Sequence, residues 1–151
     1  MSAAGAVCEC SISVAMSGSA RFALIVNTVA EVTNGLVYLL PRTRNKALPA
    51  LFGIPSQDSL SPLSGAFATI GGLHGAIAIQ CVLACFGLRS GRETLAGMAI
   101  VHAMQFVIGL QRMLASMAKG KATTWEARLG AGGGPALGAA VLGLLSFGAI
   151  M

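Results

Sequence analysis

Glu31, His74 and His102 are the side chains through which this chain could move protons, and all three lie inside long apolar runs. Glu31 stands midway along residues 22–40, His74 lies within 64–88 and His102 within 94–117. An ionisable group at such a depth is expensive: a central Asp, Lys or Arg costs about 2.5–3.5 kcal/mol to insert, and Glu behaves similarly. The carboxyl therefore needs a partner, a proton or a task. Desolvation favours the neutral forms of carboxyl and imidazole, whereas pairing the two favours the charged forms. A Glu and a His buried together can thus exchange protons near neutral pH, which general acid–base catalysis requires.

Further polar groups follow the same helical faces. Asn27, Glu31, Asn34 and Tyr38 recur at offsets 0, 4, 7 and 11, which fall on one side of a helix. His102, Gln105, Gly109, Arg112 and Ser116 do the same at offsets 0, 3, 7, 10 and 14. His74 shares a face with Cys81 and Cys85. Polar stripes in lipid must face protein or water. From the helical rise of about 1.5 Å per residue, Glu31, His74 and His102 are expected near the middle third of a bilayer at matching heights. Tyr38, Arg112 and Ser116 form a second layer nearer the loops. The expectation is a closed polar pocket in which Asn27, Asn34 and Gln105 supply hydrogen bonds. Arg112 could hold an oxyanion or a carboxylate there.

Each of these residues also has a structural reading. Glu31 with a His or Arg partner could lock helix one to helix three, and a lone His74 could be a packed, hydrogen-bonded histidine. Tyr38 and Arg112 could be snorkelling anchors at the interface. A lock needs two partners, and the stripes provide more.

The composition identifies the elements that must position these groups. Of 151 residues, 55% are hydrophobic and 10% charged, with a mean hydropathy of +0.78. Soluble domains carry about 25% charged residues. The class is all-α, an integral membrane four-helix bundle, with spans at about 22–40, 64–88, 94–117 and 130–151. A strand barrel would need repeated alternating segments that are absent from the sequence. Residues 1–20 are expected to form a flexible N-terminal tail without the character of a cleaved signal peptide, and residues 21–151 a single transmembrane domain.

Basic residues set an expected orientation. Arg42, Arg44, Lys46, Lys119, Lys121 and Arg128 outnumber Arg21, Arg89 and Arg92 on the opposite side. This favours cytoplasmic long loops and luminal termini, with the endoplasmic reticulum as the expected membrane. The net charge of +5 does not indicate nucleic acid, because the basic residues flank spans. Cys8, Cys10, Cys81 and Cys85 read as small thiols, since neither a disulfide framework nor a metal site fits their spacing. The loop 41–62 carries four prolines around an apolar stretch, 50–54, expected to lie at the interface or fold back as a lid. Trp125 is placed as an interfacial anchor. Helices two and three, joined by a few residues, are expected as antiparallel neighbours. Helix four repeats Gly130, Gly134 and Gly138, and is expected to pack closely within the bundle or against a second copy as a homodimer.

Glu31–x–x–Asn34–Gly35 in the first span, Phe52–Gly53–Ile54–Pro55 after it, and the glycine-rich last helix resemble small DoxX-like four-helix membrane proteins. Within that group the chain is similar to the small integral membrane hydrolases of fungal polyketide clusters. The resemblance covers most of the chain from about Arg21. It implies an activity on epoxides of lipophilic polyketide-type intermediates, by hydrolysis or by epoxide-opening cyclisation, with no metal or organic cofactor.

On that expectation Glu31 is the general base and His102, or His74, protonates the epoxide oxygen. Asn27, Asn34, Tyr38, Gln105 and Arg112 bind substrate. Two other classes stay open: a non-catalytic subunit or assembly factor of a membrane complex, and a small carrier or proton-linked transporter.

Overall fold

The computed structural model describes residues 16–40 and 64–151. The expected 1–15 part of the tail and the proline-rich loop at 41–62, with its lid, lie outside the described residues. Four spans are long and apolar enough to cross a bilayer, and the described residues contain helices and no strands. The protein is an integral, multi-pass membrane four-helix bundle.

Capping residues set where each helix begins. Helix α1, Gly18–Leu39, starts behind Ser17, whose hydroxyl accepts the Ala20 amide at 3.2 Å. It ends at Leu40, which is extended (φ −84°, ψ 117°), as the residue before Pro41 must tend to be. Helix α2 runs Ser64–Cys85. It stops where Gly87 takes a positive φ of 72°, with Leu88 N–H donating to the Leu83 carbonyl and Gly87 N–H to that of Ala84. Helix α3, Gly91–Ala118, opens on Ser90 and Glu93, spaced as a capping box, with the Ser90 hydroxyl accepting the Glu93 amide at 3.3 Å. It closes on Gly120 (φ 67°) by the same glycine device.

The fourth span is interrupted. Helix α4, Trp125–Arg128, begins at the Thr124 cap and leads into a widened turn, Leu129–Gly133, before helix α5, Gly134–Gly148, with Pro135 in its first turn. Gly132, at φ 128°, is the hinge of that turn. These caps place helix starts three to five residues earlier than hydropathy does for spans one, three and four. Helix α1 thus takes in Gly18 to Ala20, the last three residues of the expected 1–20 tail.

Two tight helix pairs make the bundle: α1 against α2, and α3 against the fourth span. Helices α2 and α3 follow one another through a short turn, yet each touches the other less than it touches its main partner. Small residues allow both close pairings. A Cβ on Gly71 would sit 2.6 Å from Leu39 Cγ, and one on Gly35 would sit 3.3 Å from the Gly71 carbonyl oxygen. Between α3 and the fourth span, a Cβ on Gly109 would lie 2.8 Å from the Gly132 oxygen and 2.9 Å from Ala136 Cβ.

The expected packing stripe Gly130–Gly134–Gly138 is therefore displaced. The close contact falls on Gly132 and Ala136, and a Cβ on Gly138 would meet nothing within 4 Å. The widened turn advances the register, so a spacing of four no longer marks one face.

One end of the bundle is filled. Ala20, Ala23, Leu24, Cys81, Ala84, Leu95 and Met98 form a buried cluster against Leu145, Ala149 and Ile150. It joins the start of α1, the end of α2, the start of α3 and the end of α5. Cys81 and Cys85 are free thiols, Cys81 within this plug. Away from the interior, Phe22, Ile25, Val29, Ile100 and Leu144 are exposed to the lipid. The hydroxyls of Thr28, Thr33 and Thr69 bond back to their own helix, as Thr33 Oγ1 does to the Val29 carbonyl at 2.8 Å, which meets these donors within the span. Gly109→Ala should cost about 1–3 kcal/mol through overpacking, whereas Gly138→Ala should stay within about 0.5 kcal/mol. Thermal melts in detergent compare the two directly.

Candidate functional site

Two polar pairings sit between the helices, and they differ in what they leave over. The first joins α1 to α2. Glu31, fully buried, accepts a hydrogen bond from His74 Nδ1 at 2.5 Å, and the His74 side chain is 12% exposed. The His74 ring lies flat against Tyr38, with centroids 5.5 Å apart and 7° between planes, and Tyr38 in turn stacks on Phe67 at 6.1 Å. Carboxylate and aromatic face together fix the imidazole's orientation. With Nδ1 committed to Glu31, Nε2 is the ring nitrogen left for chemistry. The other Glu31 oxygen, Oε1, is buried without a hydrogen-bond partner among the described residues. Gln80 Oε1, outside the cleft lining, is in the same position among the described residues.

The second pairing joins α3, α1 and α5. His102 Nε2 donates to Asn27 Oδ1 at 2.7 Å. Asn27 Nδ2 donates to the Ala23 carbonyl at 2.8 Å and to Ser146 Oγ at 3.0 Å. Ser146 Oγ then donates to the Leu142 carbonyl at 2.8 Å. Asn27, His102 and Ser146 are all fully buried. On its other side, His102 Nδ1 lies 2.9 Å from Gln105 Oε1.

Below these pairings a cleft of about 630 Å³ opens between the two helix pairs. The volume is in the range of small-molecule sites, roughly 300–1,000 Å³. Its polar lining is Thr33, Asn34, Tyr38, His74, Gln105 and Arg112, drawn from the first three spans. Ile70, Val37, Ile108 and Leu142 supply apolar surface. The fourth span contributes a wall of small residues: Gly132, Gly134, Pro135, Gly138 and Ala139. Gly138 makes room for the cleft here, rather than for another helix.

The structure thus brings five of the eight singled-out residues to one cleft and sets the other three behind it. Glu31 stands behind His74, and His102 and Asn27 stand behind Gln105. The expected single cluster of a carboxyl and two imidazoles is divided: Asn27, one turn from Glu31, takes His102, and Glu31 takes His74. Among the described residues, the cleft lies toward the end of the bundle opposite the apolar plug. Ser146 was missed, because a lone serine in a glycine-rich apolar helix carries no periodic signal. The small-residue wall was hidden by the register shift at Leu129–Gly133. Among the described residues, no three His, Cys, Asp or Glu side chains converge as metal ligands.

Comparison with protein-family models, with curated proteins and with solved structures finds no match to this chain. The chemistry has to be argued from the site.

The second pairing predicts an asymmetry. Asn27→Leu strips His102 Nε2 and Ser146 of their shared partner and should cost about 1–3 kcal/mol. Ser146→Ala leaves Asn27 bonded to Ala23 and should cost about 0.6 kcal/mol, the mean for hydrogen bonds between membrane helices. Denaturant or thermal unfolding of the purified variants measures both.

Proposed function

We propose that the protein is a membrane-embedded acid–base enzyme acting on a lipophilic small molecule, with the Glu31–His74 pair as its proton-transferring group. The observation that carries this is an imidazole in the wall of a cleft, held through Nδ1 by a carboxylate with no exposure of its own. In such an arrangement the carboxylate sets the tautomer and steadies the imidazolium that forms when Nε2 takes a proton. His74, rather than Glu31, is then the group that meets substrate.

The resemblance to epoxide-opening membrane hydrolases suggests the reaction. His74 Nε2 accepts the proton of a water or substrate hydroxyl as its oxygen bonds to an epoxide carbon. The carbon–oxygen bond of the ring breaks, and its electron pair goes to the departing oxygen. Arg112, in the same cleft, would stabilise that oxyanion until it collects the proton from His74. The imidazole is neutral again at the end, and no proton is gained or lost. A polyketide-type polyene would reach the cleft through the membrane in which it dissolves. The bias of basic residues supports loops in the cytoplasm and termini on the opposite side, with the cleft in the cytoplasmic half, and the endoplasmic reticulum is the membrane proposed.

One observation favours a second reading. The Glu31–His74 bond also ties α1 to α2, so the pair could act as a lock in a non-catalytic subunit.

The test uses protein in lipid nanodiscs with a panel of long-chain polyene epoxides in ¹⁸O-water, followed by mass spectrometry. Wild type should form diol, with label, or cyclic ether, without it. His74→Gln and Glu31→Gln should lose about 10²–10⁴-fold in rate while melting within a few degrees of wild type. Unchanged turnover in His74→Gln would sink the proposal, and loss of folding in both variants without any turnover by wild type would favour the lock.

A further inference from the structure

His102 faces two carboxamides, and their chemistry constrains one another. The Asn27 amide has a single permitted orientation. Its Nδ2 donates to the Ala23 carbonyl, which only accepts, so Oδ1 is the end that meets His102 Nε2. Nε2 must therefore carry a hydrogen. If Nδ1 also donated, to a Gln105 oxygen, the ring would be an imidazolium. Yet His102 is fully buried, and the groups bonded to it are uncharged amides. An ion enclosed without a counter-charge is strongly unfavourable. The structure sets Gln105 Oε1 2.9 Å from Nδ1, so a neutral ring with a lone pair at Nδ1 requires the ends of the Gln105 amide to be exchanged, with its NH₂ turned toward the ring. The two ends of an amide have nearly the same shape, so chemistry decides which one faces the ring.

That assignment determines what the cleft offers. Gln105 lines the cleft, and once its NH₂ is turned to His102 its Oε1 is the end left to face the cleft. We infer that His102 is a positioning residue that holds the Gln105 carbonyl oxygen toward the cleft as a hydrogen-bond acceptor, and that the cleft selects lipophilic molecules bearing a hydroxyl donor. His74 Nε2, also without a hydrogen when Nδ1–H bonds Glu31, is a second acceptor in the same wall. Both acceptors then line the cleft in which the proposed reaction must hold its nucleophilic O–H. The substrate class rests on that reaction, whereas the amide orientation does not. Asn27 and Ser146 gain a role beyond joining helices: they decide the tautomer of His102 and, through it, the polarity of a wall they do not touch.

The chain has two histidines, so ¹⁵N-histidine labelling in nanodiscs yields two imidazole signals, assigned by elimination in His74→Gln or His74→Asn. His102 should show a protonated Nε2 and a lone pair at Nδ1. Protonation at both nitrogens, or a lone pair at Nε2, overturns the inference. Binding is then titrated with oleyl alcohol and with its methyl ether, which lacks the donor. Wild type should prefer the alcohol about tenfold, the worth of one hydrogen bond, and Gln105→Met should bind the two alike. Equal affinity in wild type, or a preference that survives Gln105→Met, contradicts it. A failure of the catalytic reading would appear as turnover unaffected by His74→Gln and would leave both of these readouts standing.

Discussion

A bilayer interior offers no water to a buried polar group, so every such group must find its partner within the protein. Glu31 is the most demanding case, an acidic side chain with no exposure at mid-span. Its bond to His74 draws α1 and α2 together, and Gly35 and Gly71 allow the approach that the bond requires. Tyr38, two turns further along the same face, completes the clamp on the imidazole. The shape of the site follows from meeting this need on one side only. His74 meets Glu31 with Nδ1 and keeps its other nitrogen, while Glu31 Oε1 has no partner among the described residues.

The second network obeys the same constraint with a different result. Every hydrogen bond of Asn27 and Ser146 is answered, and nothing of the Asn27–His102–Ser146 set is exposed. It lies between the apolar plug and the cleft, linking the two helix pairs that otherwise touch only lightly. Below it those pairs separate, and the small residues of the fourth span widen the gap. Rigidity above and space below are what a site needs if its walls must be held while a ligand enters.

Much of this was legible in the residues themselves. Composition and span length sufficed for the class, because so few charged residues leave no other solvent for the surface. The polar stripes on spans one to three identified the helix faces that meet, since helical periodicity is insensitive to errors in helix ends. Pairing was harder. Heights that differ by one turn cannot be separated by counting residues, so Asn27 and Glu31 looked equivalent as partners for either histidine. Helix starts escaped hydropathy because Ser17, Ser90 and Thr124 act through caps. The fourth span was misread at Gly132, where a positive φ changes the register without altering composition.

The proposal at the centre is that His74 presents a basic Nε2, with its lone pair free, to the cleft while Glu31 holds Nδ1 from behind. A long-chain bromomethyl ketone, which partitions into membranes and alkylates imidazole nitrogens, tests it in one mass-spectrometric mapping of the protein in nanodiscs. The account predicts modification of His74 at Nε2, slowed by Glu31→Gln, with His102 untouched. Alkylation of His102 instead, or a His74 that stays unmodified while exposed groups react, would contradict it.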